Sequence, residues 1–210
     1  LEDIGLVDRN GDGWRDYSNG DKFVFTIEYF AIETPKQPNV ELVASHWRDL
    51  GLNVETRSIT GELADQRAPA NMMDATLWHG DKATDIYFPR QPQFMVPVNP
   101  GWERSIWPAW GRWLSTDGNS GEEPPAHIKE LDALFQQVTT ESDQEKRIEL
   151  AKKILEAQAE NLWCIGTVGK APAPVTINKN LRNFPKDGLW VWDLTWSMSR
   201  DPSQIYFENE

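Results

Sequence analysis

A single cysteine, Cys164, excludes any disulfide within the chain. It sits in the apolar run Leu162 to Ile165 with no neighbour that would lower its pKa, so it is expected to be a buried free thiol rather than a nucleophile. No apolar run approaches the roughly 20 residues that a membrane-spanning helix needs. Nor do Leu1 to Leu6 resemble a signal peptide; they read as the middle of something longer, and any targeting signal is expected outside this stretch. Positive charge is in short supply. Lys and Arg number 21 against 33 Asp and Glu, a net charge of -12, and such a surface repels phosphate backbones and anionic membranes. Nucleic acid is therefore not an expected partner. Internal repeats, low-complexity tracts and any Ser, Cys or metal triad are also missing. What is present suits a soluble globular chain: 39% hydrophobic and 26% charged residues over 210 positions, enough for one sizeable core.

The chain opens with Asp8, Asn10, Asp12, Gly13 and Asp16, a DxNxDGxxD spacing that matches the oxygen ligands of a calcium loop. Asn19 stands where the bidentate glutamate of an EF-hand would be, and the flanks lack helical periodicity. Asp8, Asn10, Asp12 and Asp16 are thus candidate ligands for a structural Ca2+, and the alternative is an Asx-rich turn leading into a strand. No other cofactor is expected.

From Lys22 to Ala31 the run KFVFTIEYFA is β-branched and aromatic and predicts a buried strand. Val40, Val43, Ala44, Trp47 and Leu50 then recur at helical spacing up to Gly51, and Leu52 to Ile59 resumes an extended pattern. Phe23 to Ile59 is therefore a β-α-β unit. His46 is expected to be a polar-face or boundary residue of its helix. A weaker helix is expected over Glu62 to Asn71. Pro124 and Pro125 open a later helix with the stripe Ile128, Leu131, Leu134, Phe135 and Val138. Ser142 and Glu145 form a capping box for the next helix, which runs toward Asn161 with Ile148, Ala151, Ile154 and Leu155 inward. Leu162 to Val168 is expected to be a buried strand, with Val175 to Ile177 extended beyond it. Trp190, Trp192, Leu194, Trp196 and Met198 alternate with Asp193, Thr195 and Ser197, which predicts a terminal strand with one indole-rich face.

The unusual chemistry lies between Ala75 and Trp113. Ala75 to Trp78 is a short apolar run that ends in His79, Gly80 and Asp81, so an aromatic, a proton carrier and a carboxylate follow a strand, where open α/β sheets place their ligands. Trp102, Trp107, Trp110 and Trp113 come next, broken by Pro100, Gly101, Pro108 and Gly111, and fit neither a helical stripe nor strand alternation. Such a loop is too apolar for disorder and is expected to form a ligand-binding wall. The candidate binding residues are Trp78, His79, Asp81, Trp107 and Trp110.

The order of these elements, with the turn DRNGDGWRD, the W-x-x-D of Trp78 and Asp81, and the segment NLWCIG, resembles the C-terminal lobe of family 5 extracellular solute-binding proteins of ABC importers. The resemblance covers nearly the whole chain. It implies an α/β fold, a mixed sheet flanked by helices, forming one lobe of a two-lobed periplasmic-binding-protein type II fold. Residues 1–179 would form the C-terminal ligand-binding lobe, and 180–210 a return segment with a terminal strand toward the hinge or the missing N-terminal lobe. It also implies a periplasmic or extracellular location, with a lipoprotein anchor compatible. The implied partners are a small solute, the ABC permease subunits and the N-terminal lobe of the same protein. In peptide-binding members the aspartate after the cleft tryptophan receives the ligand's amino group, and Asp81 matches it, although Lys82 and Ala83 replace the usual continuation. The indoles point instead to the apolar faces of pyranoses, so oligopeptide and oligosaccharide both stand as ligands.

Two rivals belong to other classes. A glycoside hydrolase would use two carboxylates beside aromatic subsites, for which Asp81, Asp85 and Glu103 are available. A calcium-stabilised interaction module would be built on the acidic loop. Transport fits the whole chain better than either, and the chain is expected not to be an enzyme.

Overall fold

The computed structural model describes residues 1–30, 36–78, 88–89, 91–98, 107–166, 174–188 and 202–208. Its first half is the expected β-α-β unit: β1 (Val24–Tyr29), α1 (Lys36–Arg48) and β2 (Asn53–Ser58), followed by α2 (Gly61–Arg67) and the short β3 (Ala75–Thr76). Among the described residues these strands form a sheet in the order β2-β1-β3, parallel throughout, with Val24 opposite Asn53 and Ile27 opposite Ala75. Strand alternation sends Ile27 and Tyr29 to one face, where they meet Val54 of β2 and Val40 and Ala44 of α1 in one core cluster. The opposite face carries Glu28 and Phe30. Phe30 packs with Ile59 and Ala64, and Met73 and Trp78 lean on that group. Glu28, 1% exposed, is held by Arg67 of α2 at 3.0 Å and Arg57 of β2 at 3.4 Å. A carboxylate that deeply buried needs both partners.

α1 ends at Arg48, and the turn after it closes on Gly51, whose φ of 80° suits glycine and leads the chain into β2. The acidic loop docks on this turn, since the Arg15 amide donates to the Gly51 carbonyl at 2.8 Å and its guanidinium to the Leu50 carbonyl at 2.7 Å.

The second half is built on an α-hairpin. After α3 (Pro108–Ser115) come α4 (Ala126–Thr140) and α5 (Gln144–Asn161). Ile128, Leu131, Phe135 and Val138 of α4 are buried as expected, the last three against Ile154 of α5 and Phe88, Val96 and Val98. Two details of α5 differ from expectation. Asp143, not Ser142, is the N-cap, its carboxylate accepting from the amides of Glu145 and Lys146 at 2.9 and 3.2 Å. The inward stripe runs Leu150, Ala151, Ile154 and Ala157, leaving Ile148 and Leu155 exposed.

The strand expected over Leu162 to Val168 is absent from its described part, 162–166. Leu162 turns left-handed at φ 51° to end α5, and the Gln158 side chain then clamps the main chain of Cys164, accepting from its amide and donating to its carbonyl. Those main-chain groups are taken before a strand could pair them. Cys164 is half-buried, and desolvation pushes its thiol pKa up, in keeping with an unreactive thiol. Val175 and Ile177 are exposed and lie outside any described strand. In the tail, β4 (Leu181–Arg182) pairs antiparallel with β5 (Tyr206–Phe207), and Arg182 forms an ion pair with Glu208. The strand expected over 190–198 lies outside the described residues.

Candidate functional site

All three parallel strands finish at the same edge, so the residues just past their ends converge there: Phe30 after β1, Ile59 after β2, and Leu77 and Trp78 after β3. Phe30 and Trp78 meet with ring centroids 4.6 Å apart at 35°. Phe30 is buried and Trp78 partly buried, so the indole is part core and part surface. Lys36, the first residue of α1, is 1% exposed, with its Nζ 4.7 Å from the Trp78 ring centroid and 5.7 Å from that of Phe30. Both distances are within cation-π range.

Lys36 was not among the residues singled out from sequence. A cation in the first turn opposes the positive end of the helix, and that misplacement was the available signal. His79 and Asp81, expected beside Trp78, lie outside the described residues, as do Trp102 and the carboxylates Asp85 and Glu103.

Trp107 and Trp110 come together in a second aromatic group. Their rings stack at 6.2 Å and 10°, and Trp163, just past α5, meets Trp107 edge-on at 6.1 Å. The end of the expected Trp-rich loop is in fact helix α3: Pro108 provides the fixed φ of a first helical position, and Gly111, which read as a break, is buried inside the helix. Trp107 precedes the helix with φ 150°, a strained value for a residue with a Cβ, and the two neighbouring indoles hold it there. Further along α3, Arg112 donates to the Pro69 carbonyl at 2.8 Å, tying the helix to the turn after α2. Lys129 of α4 lies over the Trp113 ring at 4.6 Å. Gly121 closes the following turn with φ 93°, where an added Cβ would come within 2.3 Å of the Ala109 carbonyl oxygen.

The acidic loop adopts the Asx-turn arrangement. Asp8 accepts from the amides of Gly11 and Gly13 at 2.7 and 2.9 Å, Asn10 from the amide of Asp12 at 2.8 Å, and Asp12 from that of Trp14 at 2.9 Å. Asp12 also meets the Lys22 ammonium at 2.8 Å, and this hydrogen bond leads the effects that lower its pKa and raise that of Lys22. Asp16 is fully buried, with one carboxylate oxygen on the Arg9 amide at 3.0 Å and the other without a partner. Among the described residues no three His, Cys, Asp or Glu side chains gather to hold a metal. In this arrangement main-chain amides and the Lys22 ammonium meet oxygens of Asp8, Asn10 and Asp12, which is the Asx-turn alternative to a calcium loop.

No protein-family model matches the chain, and no curated protein does. Solved structures do match. The whole chain aligns with 34% of an oligopeptide-binding protein, OppA, at 26% identity and a TM-score of 0.75. A second match covers 78% of this chain and 24% of the periplasmic binding protein MelB of Agrobacterium fabrum, solved with stachyose, at 19% identity and a TM-score of 0.61. A third covers 78% of this chain and 29% of the oligopeptide-binding protein AppA of Bacillus subtilis, solved with a nonapeptide, at 22% identity and a TM-score of 0.53. The chain spans about a third, or less, of the proteins it matches. It has the fold of one lobe of a family 5 solute-binding protein, as the resemblance implied, and these matched proteins are binding proteins rather than enzymes.

Proposed function

We propose that this chain is the ligand-binding lobe of an extracellular or periplasmic receptor that captures an oligopeptide or oligosaccharide and delivers it to the permease of an ABC importer. The observation that carries this reading is the partly buried Trp78 at the carboxyl edge of a parallel sheet, in a fold shared with binding proteins solved with stachyose and with a nonapeptide. An indole offers a broad rigid face that buries apolar area at little entropic loss, which suits the face of a pyranose or the flank of a peptide. In a two-lobed receptor each lobe supplies part of the surface, and hinge closure removes the ligand from water. His79 and Asp81 would add hydrogen bonds and charge beside Trp78, whereas Trp107 and Trp110, packed with each other and with Trp163, serve the lobe as a brace. An anchor as a lipoprotein and contact with permease subunits belong to the same proposal.

The test is calorimetric titration of the complete gene product with stachyose and, separately, with a water-soluble nonapeptide, followed by chromatography of the ligand. Saturable binding of either, with the ligand recovered intact, is expected. Release of free monosaccharide would replace the receptor with a glycoside hydrolase.

A further inference from the structure

Among the described residues three buried side-chain oxygens meet no hydrogen-bond donor, and two of them, the amide oxygens of Gln91 and Gln93, fall in one turn; the third is on Asp16. The turn is the 3-10 segment Pro92–Phe94, and Gln91, just before it, makes no side-chain capping bond. Gln93 is 4% exposed. A buried amide oxygen without a donor has lost its water and gained no bond, and native folds keep few of them. The main chain of the turn, by contrast, is well satisfied. The amides of Met95 and Val96 both donate to the Pro92 carbonyl, at 2.8 and 3.0 Å, and Phe88, Val96 and Val98 on either side are fixed in the core with α4 and α5. The two glutamines therefore stand on a rigid support, in the stretch between Trp78 and Trp107 whose sequence suggested a ligand-binding wall.

We propose that the side-chain carbonyls of Gln91 and Gln93 are acceptors for uncharged donors of the captured solute, the hydroxyls of an oligosaccharide or the amide N–H groups of an oligopeptide. The inference rests on the proposed receptor function. A neutral carbonyl accepts from a hydroxyl or an N–H and leaves no unpaired charge buried when the solute departs. Both oxygens lose their water on folding, so a solute donor that reaches them gives up only its own, and the bond counts nearly in full toward affinity. Sites of function are where a fold tolerates such a local loss of stability.

The test compares Gln91→Met and Gln93→Met, which keep the side-chain length and remove the amide, with the parent in the complete gene product. Each protein is melted and then titrated by calorimetry with stachyose and, separately, with a water-soluble nonapeptide. The expected result is a melting temperature unchanged or raised, since an unmatched oxygen is gone, and affinity about 5-fold weaker in each variant, the scale of one neutral hydrogen bond. Weakening toward stachyose assigns hydroxyl donors, and weakening toward the nonapeptide assigns amide donors. Should Gln93→Met not fold, Gln93→Asn, which draws the amide back by one methylene, is expected to show the same loss of affinity. Parent-like affinity in the folded variants would overturn the proposal and leave the receptor function standing; combined with a lowered melting temperature, it would assign the two oxygens to buried water that serves the fold. If the parent binds neither probe, the receptor function itself fails and this inference falls with it.

Discussion

Trp78 shares its surroundings with a buried lysine and a phenylalanine, whereas Trp107 stacks on Trp110 and meets Trp163 edge-on. The first group rests on a sheet face that holds a desolvated charge of each sign, Glu28 with its two arginines and Lys36 beneath the rings. The second joins the start of α3 to the end of α5, beside the apolar cluster to which Trp163 adds. Buried charges confer little net stability but restrict how their neighbours sit; stacked indoles bury area and stabilise. Trp107, Trp110 and Trp163 thus brace two helices, and Trp78, in charged company at the sheet edge, is the residue proposed for the wall.

The largest expected effect breaks the brace. Trp107→Ala removes both ring contacts and keeps the strained φ, so a loss of about 3 kcal/mol in unfolding free energy is expected from urea titration, the low end for a truncated tryptophan because the ring is half-buried. Ligand affinity of the folded protein should stay within about twofold, a change below what one lost anchor would produce. A large affinity loss with unchanged stability would move Trp107 from brace to wall.

Trp78→Ala is the converse. Binding of whichever probe the parent takes should weaken by about 2 kcal/mol, within the range for one aromatic anchor, as read by calorimetry. A lowered melting temperature with unchanged affinity would assign Trp78 to the core alone.

A smaller effect separates the two groups by their supports. Asp143→Ala removes the cap of α5 and should lower stability by about 1 kcal/mol. Because Trp163 follows α5, its resonance and that of Trp107 should shift in the two-dimensional NMR spectrum while that of Trp78 stays in place. Coupled shifts in all three would dissolve the distinction between the groups.

The smallest effect concerns the acidic loop, which belongs to neither group. With Lys22 already on Asp12, millimolar calcium or chelator should leave the melting temperature where it is; a rise with free calcium would reinstate the structural ion held by Asp8, Asn10, Asp12 and Asp16. The pair also has a pH signature. Asp12 titrates lower folded than unfolded, so its contribution is present at neutral pH and fades as pH falls through the lowered value, below the usual carboxylate range. Lys22 titrates higher when folded, so its share is lost only as pH rises through that raised value.

Much of the scaffold was legible in the residues. Phe23 to Ile59 announced β-α-β because its periodicity switches from two to helical and back, with Gly51 between. Of the five residues read as the α4 stripe, Ile128, Leu131, Phe135 and Val138 are buried and Leu134 partly so, since large apolar residues at helical spacing leave only one face to bury. Helix α3 was missed because Pro108 and Gly111 read as breaks, yet one is a normal first residue and the other is buried within the helix. The strand expected after α5 is absent from its described part, 162–166, because Gln158, a side chain three residues from the helix end, takes the main-chain groups a strand would need.

Local pattern thus determined the elements and their order, because strand alternation, helical spacing and turn chemistry act over a few residues. Which residues share a site was decided only by tertiary structure. No spacing links Phe30, Lys36 and Trp78; parallel pairing of β1 with β3 puts the two rings at one sheet edge, and the start of α1 brings the ammonium beneath them. Burial of that charge depends on chain segments that meet only in the fold.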